Sequence, residues 1–281
     1  MVRSRERSNA LSEREVMEPR QKTHRGRCLW CMEILVLVLA TAGASPAVAG
    51  AAKVPKKGKL LYMTLTKGYH HESVELSKQI VKEIGDKSGA FETTVTEDVG
   101  AFTASNLRNY DAVMFNTTGE LPMTEEEKQA LVSFLKSGHG FVGVHSATDT
   151  FYMWNTYGDI IGGWFNNHPW HQMVTIDVED SASPIVGFLG KSFQISDEIY
   201  QIGDFKAKTS HVLLRLDPSS VKLEKEGVVR RYYGWPVAWT RMFGKGRVFY
   251  DSLGHENAVW NDPRYQQMLL NGIKWVMGQI K

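Results

Sequence analysis

Short apolar segments alternate with amphipathic segments through the first half of the chain, and this alternation constrains the fold more than any other feature. Runs of strand length end in turn residues, and apolar side chains recur at helical spacing between them. The predicted strands are 59–65, 91–97, 111–116 and 141–145, and the predicted helices are 72–87 and 124–136. Such alternation is typical of a parallel sheet with helices on both faces. We therefore predict an α/β fold with three layers and a doubly wound, mostly parallel sheet.

The second half of the chain shows a different pattern, in which strands follow one another without helices. The predicted strands here are 173–178, 212–216, 236–241 and 247–251. Gly244-Lys245-Gly246 joins the last two as a hairpin. A closing amphipathic helix is expected over 264–279. We predict that this half adds an antiparallel extension to the sheet, within one domain over 59–281 that follows a linker over 50–58.

The N-terminal segment has the organisation of an export signal. Residues 34–44 form an apolar run that is shorter than the roughly 20 residues needed to span a bilayer. Basic residues precede this run, and Ala47-Val48-Ala49 follows it. This order predicts a signal peptide over 1–49, with Met17 or Met32 as alternative starts. We expect an exported protein, periplasmic or extracellular, with no stable membrane span after cleavage.

Charge and cysteine content exclude several kinds of chemistry. Of the 33 basic and 31 acidic residues, 8 and 5 lie in residues 1–49, so the remaining chain is close to neutral. A nucleic-acid-binding domain usually carries a basic face, and we expect no nucleic-acid partner. Both cysteines, Cys28 and Cys31, lie in the predicted signal peptide. The rest of the chain therefore has no disulfide, no cysteine zinc site and no cysteine nucleophile.

Three histidines lie where predicted strands pass into loops. His71 follows the first strand, His145 ends the strand over 141–145, and His255 comes shortly after the strand over 247–251. Ligands of such sheets bind beyond the carboxyl ends of the strands. Imidazole suits proton transfer near neutral pH and binds transition metals. We predict that the three rings converge on one site; the alternative is that each ring only hydrogen-bonds nearby backbone.

Two further segments carry candidate ligands. The predicted connecting loop over 164–171 is rich in aromatic and amide side chains, which is typical of a saccharide-binding surface but equally of a small satellite core. Asp197 and Glu198 are adjacent, so only one can face inward if they lie on a strand. Glu198 is the candidate acid–base group or metal ligand. Glu72 and Asp149 are further carboxylates that could lie near the site.

Several motifs resemble those of the ThuA-like (trehalose utilisation) family, which has the fold of class I glutamine amidotransferases. Residues 138–147 resemble the segment that presents the cysteine nucleophile in that fold, and 248–256 resemble its histidine-bearing strand. The family resemblance extends over residues 58–279. It rests on Tyr69-His70-His71-Glu72-Ser73, Gly143-Val144-His145-Ser146-Ala147, Asn167-His168-Pro169, Asp197-Glu198-Ile199-Tyr200, Pro236-Val237-Ala238-Trp239-Thr240-Arg241 with Gly246-Arg247-Val248, and Ser252-Leu253-Gly254-His255.

The chain departs from the amidotransferase pattern at the nucleophile. His145 stands where that fold has its cysteine, and residues 50–281 contain no thiol. A glutaminase that proceeds through a thioester is therefore excluded. Ser146 with His255 is a less favoured nucleophile–base pair, because the turn aims one residue at the site.

The resemblance implies a role in carbohydrate metabolism. ThuA-like proteins are associated with oxidoreductases that make 3-keto sugars, and some relatives look like hydrolases of 3-keto-glycosides. A ketone at C3 acidifies the C2 hydrogen, so His145 or His255 could remove it while the enolate expels the C1 substituent. The enolate oxygen needs a positive partner, which could be a metal, an imidazolium or Arg241. We therefore expect a hydrolase or lyase acting on glycosides or 3-keto-glycosides.

These considerations assign roles to particular residues. The expected catalytic residues are His71, His145, His255 and Glu198. The expected substrate contacts are Trp164, Asn167, His168, Trp170, Tyr200 and Arg241. A divalent zinc, manganese or nickel ion is expected on His71, His145, His171 and His255. A small carbohydrate is the expected ligand, and a homo-oligomer is an open alternative. Two other hypotheses are a carbohydrate-binding module with structural histidines and a scaffold for subunit assembly.

Overall fold

A computed structural model describes residues 57–229 and 233–281. The predicted signal peptide, both cysteines and most of the predicted linker lie outside the described residues. In the part of the chain that the structure describes, no helix is long and apolar enough to cross a membrane.

One sheet of nine strands organises the described residues, in the order β2-β1-β3-β4-β9-β8-β7-β5-β6. The strands are β1 (Gly58–Met63), β2 (Phe91–Thr96), β3 (Ala112–Phe115), β4 (Gly140–Val144), β5 (Trp164–Val178), β6 (Ser192–Gly203), β7 (Ser210–Leu216), β8 (Pro236–Phe243) and β9 (Gly246–Asp251). The strands predicted from apolar runs in the first half are all present, with ends that differ by one or two residues.

The α-helices in this part of the chain are α1 (Ser73–Ser88), α2 (Ala104–Leu107), α3 (Glu125–Lys136), α4 (Asn155–Ile161), α5 (Asn257–Trp260) and α6 (Pro263–Val276). The start of α3 is set by the local sequence. The Thr124 side chain accepts from the backbone N–H of Glu127, whose side chain accepts from the N–H of Thr124. This capping box satisfies two N–H groups that would otherwise lack a partner at the helix start.

The sheet is evenly mixed, whereas the sequence predicted a mostly parallel one. Four strand pairs are parallel and involve β1, β2, β3, β4 and β9. The other four pairs are antiparallel and involve β5 to β9. The difference arises because β5 and β6 form a long hairpin that the apolar pattern does not reveal. A mixed α/β fold is confirmed, and its description as doubly wound and three-layered stays a prediction.

The parallel strands are apolar because both of their faces are covered. Leu60 of β1 belongs to a core that includes Ile80 of α1 and Met268 of α6. The next residue, Leu61, belongs to a second core that includes Leu131 of α3. Successive side chains of a strand point to opposite faces, so each strand contributes to both cores. Because apolar side chains cover both faces of this part of the sheet, polar groups can gather at the strand ends.

The segment 164–171 is a strand, and the prediction of a connecting loop was wrong. It forms the first half of β5 and pairs with β6, with register shifts between Phe165 and Asn167 and between Asn167 and Trp170. These irregularities break the alternation of apolar and polar side chains that identifies a strand in a sequence. Pro169 also lies within this stretch, and proline usually counts against a strand.

Candidate active site

The ends of three strands and one hairpin bring the candidate groups together. His71, His145 and His255 follow β1, β4 and β9, which belong to the parallel half of the sheet. Strands β4 and β9 are neighbours, and β3 separates them from β1. The hairpin of β5 and β6 adds His168 and Glu198 from the antiparallel half. Polar side chains from distant parts of the sequence thus meet at one place.

The three strand-end histidines form a compact triangle. The ring centroids of His71 and His145 are 4.6 Å apart, those of His71 and His255 are 5.2 Å apart, and those of His145 and His255 are 5.5 Å apart. All three pairs are in edge-to-face contact. The predicted convergence of these histidines is therefore confirmed.

His145 is held in one orientation by its hydrogen bonds. Its ring is fully buried, and its Nδ1 lies 2.8 Å from the carbonyl oxygen of Ser252, so Nδ1 carries the proton and donates it. Its Nε2 then accepts from the Tyr200 hydroxyl at 2.9 Å. A backbone carbonyl behind Nδ1 is the arrangement that orients a metal-binding histidine through Nε2.

Glu198 connects the histidines. Its Oε2 lies 3.1 Å from His255 Nδ1 and 3.8 Å from His145 Nε2, and its Oε1 lies 3.2 Å from His168 Nδ1. Burial raises the pKa of Glu198, but the hydrogen bond and charge of His255 and the charge of His168 outweigh burial, so the pKa lies below its usual value. Glu198 is therefore the anion of the site.

The histidines differ in their affinity for a proton. Burial, together with the charge of His255, lowers the pKa of His71 to about 4. Burial also lowers the pKa of His145 well below its usual value. The Glu198 carboxylate, 3.1 Å from Nδ1, raises the pKa of His255 against an opposing effect of burial. At neutral pH, His71 and His145 are neutral ligands or acceptors, and His255 is the ring that most readily carries charge.

Four of these residues fit a transition-metal ion. One ligand atom from each of His71, His145, His255 and Glu198 lies within 4.8 Å of all the others. His71 Nδ1 is also buried without a hydrogen-bond partner in the described structure, as a group with an absent ligand would be. Three imidazoles and a carboxylate suit zinc and similar divalent ions. We call these four residues the four-donor cluster.

A cavity of about 320 Å³ opens beside the four-donor cluster. It is within the size range of small-molecule sites. Its lining combines aromatic and ionisable side chains. The lining residues are Tyr69, His71, Asp149, Phe165, His168, Glu198, Tyr200 and His255.

The chain also matches a known family over most of its length. Residues 59–276 match the sequence model of ThuA, described as trehalose utilisation. The chain belongs to the ThuA family. The resemblance found in the short motifs is thereby confirmed, and a carbohydrate-related role is supported. A comparison with curated proteins gives no match.

Solved structures share the fold of this ThuA-family chain. A ThuA-like protein from Bacteroides uniformis ATCC 8492 matches with a TM-score of 0.68 at 24% identity, covering 80% of this chain and 94% of that one. A ThuA-like protein from Parabacteroides merdae ATCC 43184 matches at 0.65 and 19% identity, covering 80% and 91%. A cytoplasmic protein from Salmonella typhimurium matches at 0.52 and 10% identity, covering 78% and 98%. At these identities the likeness supports the fold alone.

Four of the predicted substrate contacts do not line the cavity of this ThuA-family chain. Trp170 is fully buried against Trp235, and its Nε1 donates to the carbonyl of Lys222. Trp164 is partly buried, and a side chain at Gly158 would meet its indole ring. The side chain of Asn167 donates to the carbonyl of Gly227. Arg241 is buried and donates to Thr209. These indoles and polar groups are already in contact with protein, whereas Tyr200 and His168 do line the cavity.

His171 lies beside the four-donor cluster without belonging to it. Its Nε2 lies 2.6 Å from Glu256 Oε1, and its ring centroid is 5.0 Å from that of His255. The predicted metal set of four histidines thus differs from the four-donor cluster, in which Glu198 takes the place of His171.

Tyr69 and Phe165 had no predicted role, and Asp149 was predicted only as a carboxylate that could lie near the site. Tyr69 lies in the same motif as His71, and its exposed ring contacts the His71 ring with centroids 4.7 Å apart. Phe165 lies in the segment mistaken for a loop and contacts the ring of Tyr200. Asp149 lies four residues after His145, beyond the carboxyl end of β4. Its proximity to a strand-end histidine is the signal that points to it.

Proposed function

We propose that this protein is a hydrolase or lyase that cleaves glycosides, with 3-keto-glycosides as the preferred substrates, and that the four-donor cluster holds a divalent transition metal. The observation that carries this proposal is the presence of three histidines and a glutamate, with ligand atoms within 4.8 Å, beside a cavity of about 320 Å³. Membership of the ThuA family supports a carbohydrate substrate, and the donor atoms support the class of reaction.

The chemistry needs a stabilised enolate and a base. A bound divalent ion would supply Lewis-acid stabilisation of the negative oxygen at C3. With the four-donor cluster so engaged, His168 is the imidazole that stays free to act as the base. Its Nδ1 lies 3.2 Å from Glu198 Oε1, a placement that keeps the proton on Nδ1 and leaves Nε2 to take the C2 proton. Glu198 thus orients His168 while it belongs to the cluster.

The same geometry argues against an ordinary glycosidase. That reaction uses two carboxylic groups placed on opposite sides of the scissile bond. Of the two carboxylates in the cavity lining, Glu198 is engaged by His255 and His168. It is therefore poorly placed to attack a sugar carbon.

The carbohydrate-binding module is the weaker alternative. It relied on indole rings that stack on a sugar, but Trp170 and Trp235 are buried against each other. A buried ring has no free face for a sugar. The less buried rings in the cavity lining, those of Tyr69 and Phe165, lie beside ionisable groups, which favours catalysis.

Export is part of the proposal and has its own test. The pattern over residues 1–49 is that of a signal peptide, so we propose a periplasmic or extracellular location. Cell fractionation of the full chain is expected to yield a shortened protein that begins near Gly50 outside the cytoplasm. Full-length protein in the cytoplasm would contradict export without affecting the proposed reaction.

The decisive experiment combines metal content and activity. The chain from Gly50, purified without a histidine tag or chelator, is expected to contain about one equivalent of transition metal by elemental mass spectrometry. It should cleave methyl 3-keto-glucoside faster than methyl glucoside. His255→Ala should lose both metal and activity, whereas His211→Ala, an exposed histidine paired with Asp180, should keep both. Failure to cleave either substrate by metal-loaded protein would refute the proposed function.

A further inference from the structure

Asp149 lines the same cavity, and the reaction proposed above gives it no role. It lies in the lining with His168 and Glu198, and the described structure contains no ion pair for its carboxyl group. We infer that Asp149 is the general acid that protonates the leaving oxygen of the glycoside. This inference rests on the proposed function and adds the second proton carrier that the reaction needs.

The hydrogen bonds of Asp149 suit a group that gains and loses a proton. The Tyr152 hydroxyl lies 2.7 Å from Asp149 Oδ1 and 3.0 Å from the carbonyl oxygen of Phe165. A hydroxyl has one proton, so it can donate to Phe165 when Asp149 is neutral and to Asp149 when the carboxylate is charged. Both states therefore have a partner. Within the described residues nothing donates to Oδ2, which leaves that oxygen for a ligand.

The surroundings of Asp149 favour its neutral form. Burial raises the pKa of Asp149 above its usual value and outweighs the hydrogen bond from Tyr152 and the electrostatic effect of His168, which both lower it. The other titratable group that faces it is Tyr200 of β6. The two carboxyl groups of the cavity thus have opposite tendencies, since the pKa of Glu198 is lowered. Such a difference is the usual mark of an acid and an anion within one site.

The step balances as an elimination followed by hydration. His168 takes the C2 proton, the C1–O bond breaks, and its electron pair goes to the leaving oxygen, which receives the proton of Asp149 and departs as an alcohol. Water then adds to C1 of the resulting enone, giving one proton to the Asp149 carboxylate, while C2 regains a proton from His168. The products are the 3-keto sugar and the alcohol, and both residues return to their starting states.

Leaving groups of different basicity test this role. Methoxide needs a proton to depart, whereas 4-nitrophenolate leaves without one. We expect Asp149→Asn to lower kcat at least about 100-fold for methyl 3-keto-glucoside and less than about 10-fold for the 4-nitrophenyl compound. Asp159→Asn, on the exposed part of α4, is the matched control and should change neither value. Equal losses for both substrates in Asp149→Asn would overturn the assignment.

Two further readouts separate failure of this inference from failure of the proposed function. A 3-keto sugar without a C1 substituent should exchange its C2 hydrogen with solvent deuterium, and Asp149→Asn should retain this exchange. If the native protein neither exchanges nor cleaves, the proposed function fails. Carbon-13 NMR of aspartate carboxyls, assigned with the variant, needs no substrate and should show Asp149 titrating above its ordinary value of 3.8. Titration at or below that value would overturn the inference by itself.

Discussion

His145, whose imidazole belongs to the four-donor cluster, has a left-handed backbone conformation, with φ of 47°. A residue other than glycine is uncommon there and needs support from its surroundings. The Tyr250 hydroxyl supplies it by donating to the His145 carbonyl at 2.7 Å, and the Thr148 hydroxyl lies 2.9 Å from that of Tyr250. Contacts made by Tyr250 and Thr148 therefore support this conformation.

Tyr200 and a metal ion compete for the same atom, His145 Nε2. Removing the hydroxyl in Tyr200→Phe should therefore strengthen metal binding, by roughly 2- to 10-fold, which corresponds to one hydrogen bond of about 0.5–1.5 kcal/mol. Calorimetric titration of zinc into metal-free protein measures the change. Weaker binding in the variant would contradict the competition and would indicate that the hydroxyl supports the metal.

Asp251 predicts a pH dependence of stability. It is fully buried, and burial raises its pKa well above 3.8, so the folded protein keeps this proton to a higher pH than the unfolded chain does. Above pH 3.8 the unfolded chain releases this proton, so the free energy of unfolding falls as pH rises towards the folded-state pKa, by up to about 1.4 kcal/mol per pH unit. Asp251→Asn has no proton to lose, and its stability relative to the native protein should increase over this range in urea unfolding. If the difference in free energy of unfolding between the two proteins does not change with pH, the raised pKa of Asp251 is contradicted. Asp86→Asn, at an exposed position, is the control.

At the scale of elements, close packing of helix on sheet overrides helix propensity at Gly272. Alanine is more favourable than glycine in a helix by about 1 kcal/mol, so helix propensity alone predicts that Gly272→Ala would stabilise α6. A Cβ at this position, however, would meet the ring of Phe249 in β9. We expect Gly272→Ala to lower the free energy of unfolding by roughly 1–3 kcal/mol in chemical denaturation. The exposed control Gln267→Ala on the same helix should change it little, and a stabilised Gly272→Ala would show that α6 can shift away from β9.

The elements differ in how far their sequences specify them. Helix α3 is predictable because its capping box and apolar face lie within the helix and its first turn. The first half of strand β5 is not, since Pro169 and two register shifts remove the local signal, whereas its second half was predicted as the strand 173–178. Its pairing with β6 depends on partners more than 20 residues away for most of its length. Trp164, Asn167 and Trp170 were predicted as substrate contacts in a connecting loop. They lie on this strand instead, and their side chains contact other parts of the protein.

At the scale of the whole molecule, the four-donor cluster ties together segments that follow β1, β4 and β9 with strand β6. A ligand that binds only the folded state stabilises it by about 2.7 kcal/mol at 100 times its Kd. For a domain of this size we expect zinc at that concentration to raise Tm by roughly 5–10 °C. Differential scanning calorimetry tests this, with His255→Ala as the variant that should show no shift. An equal shift in the variant would place the stabilising ion elsewhere.

The sequence by itself determined the α/β class, the cap of α3, the loss of a thiol nucleophile and the candidacy of His71, His145 and His255. These features depend on short-range periodicity, on single residues and on the rule that parallel strands end at one edge. The sequence also made Glu198 a candidate, but only the tertiary structure decided that its carboxylate lies against these histidines and that Asp149 faces the same cavity. Glu198 comes from an antiparallel strand, and its meeting with His255 depends on the pairing of β5 with β6 and on the order of nine strands. Long-range pairing of this kind is set by packing across the sheet, and no local pattern in the chain encodes it.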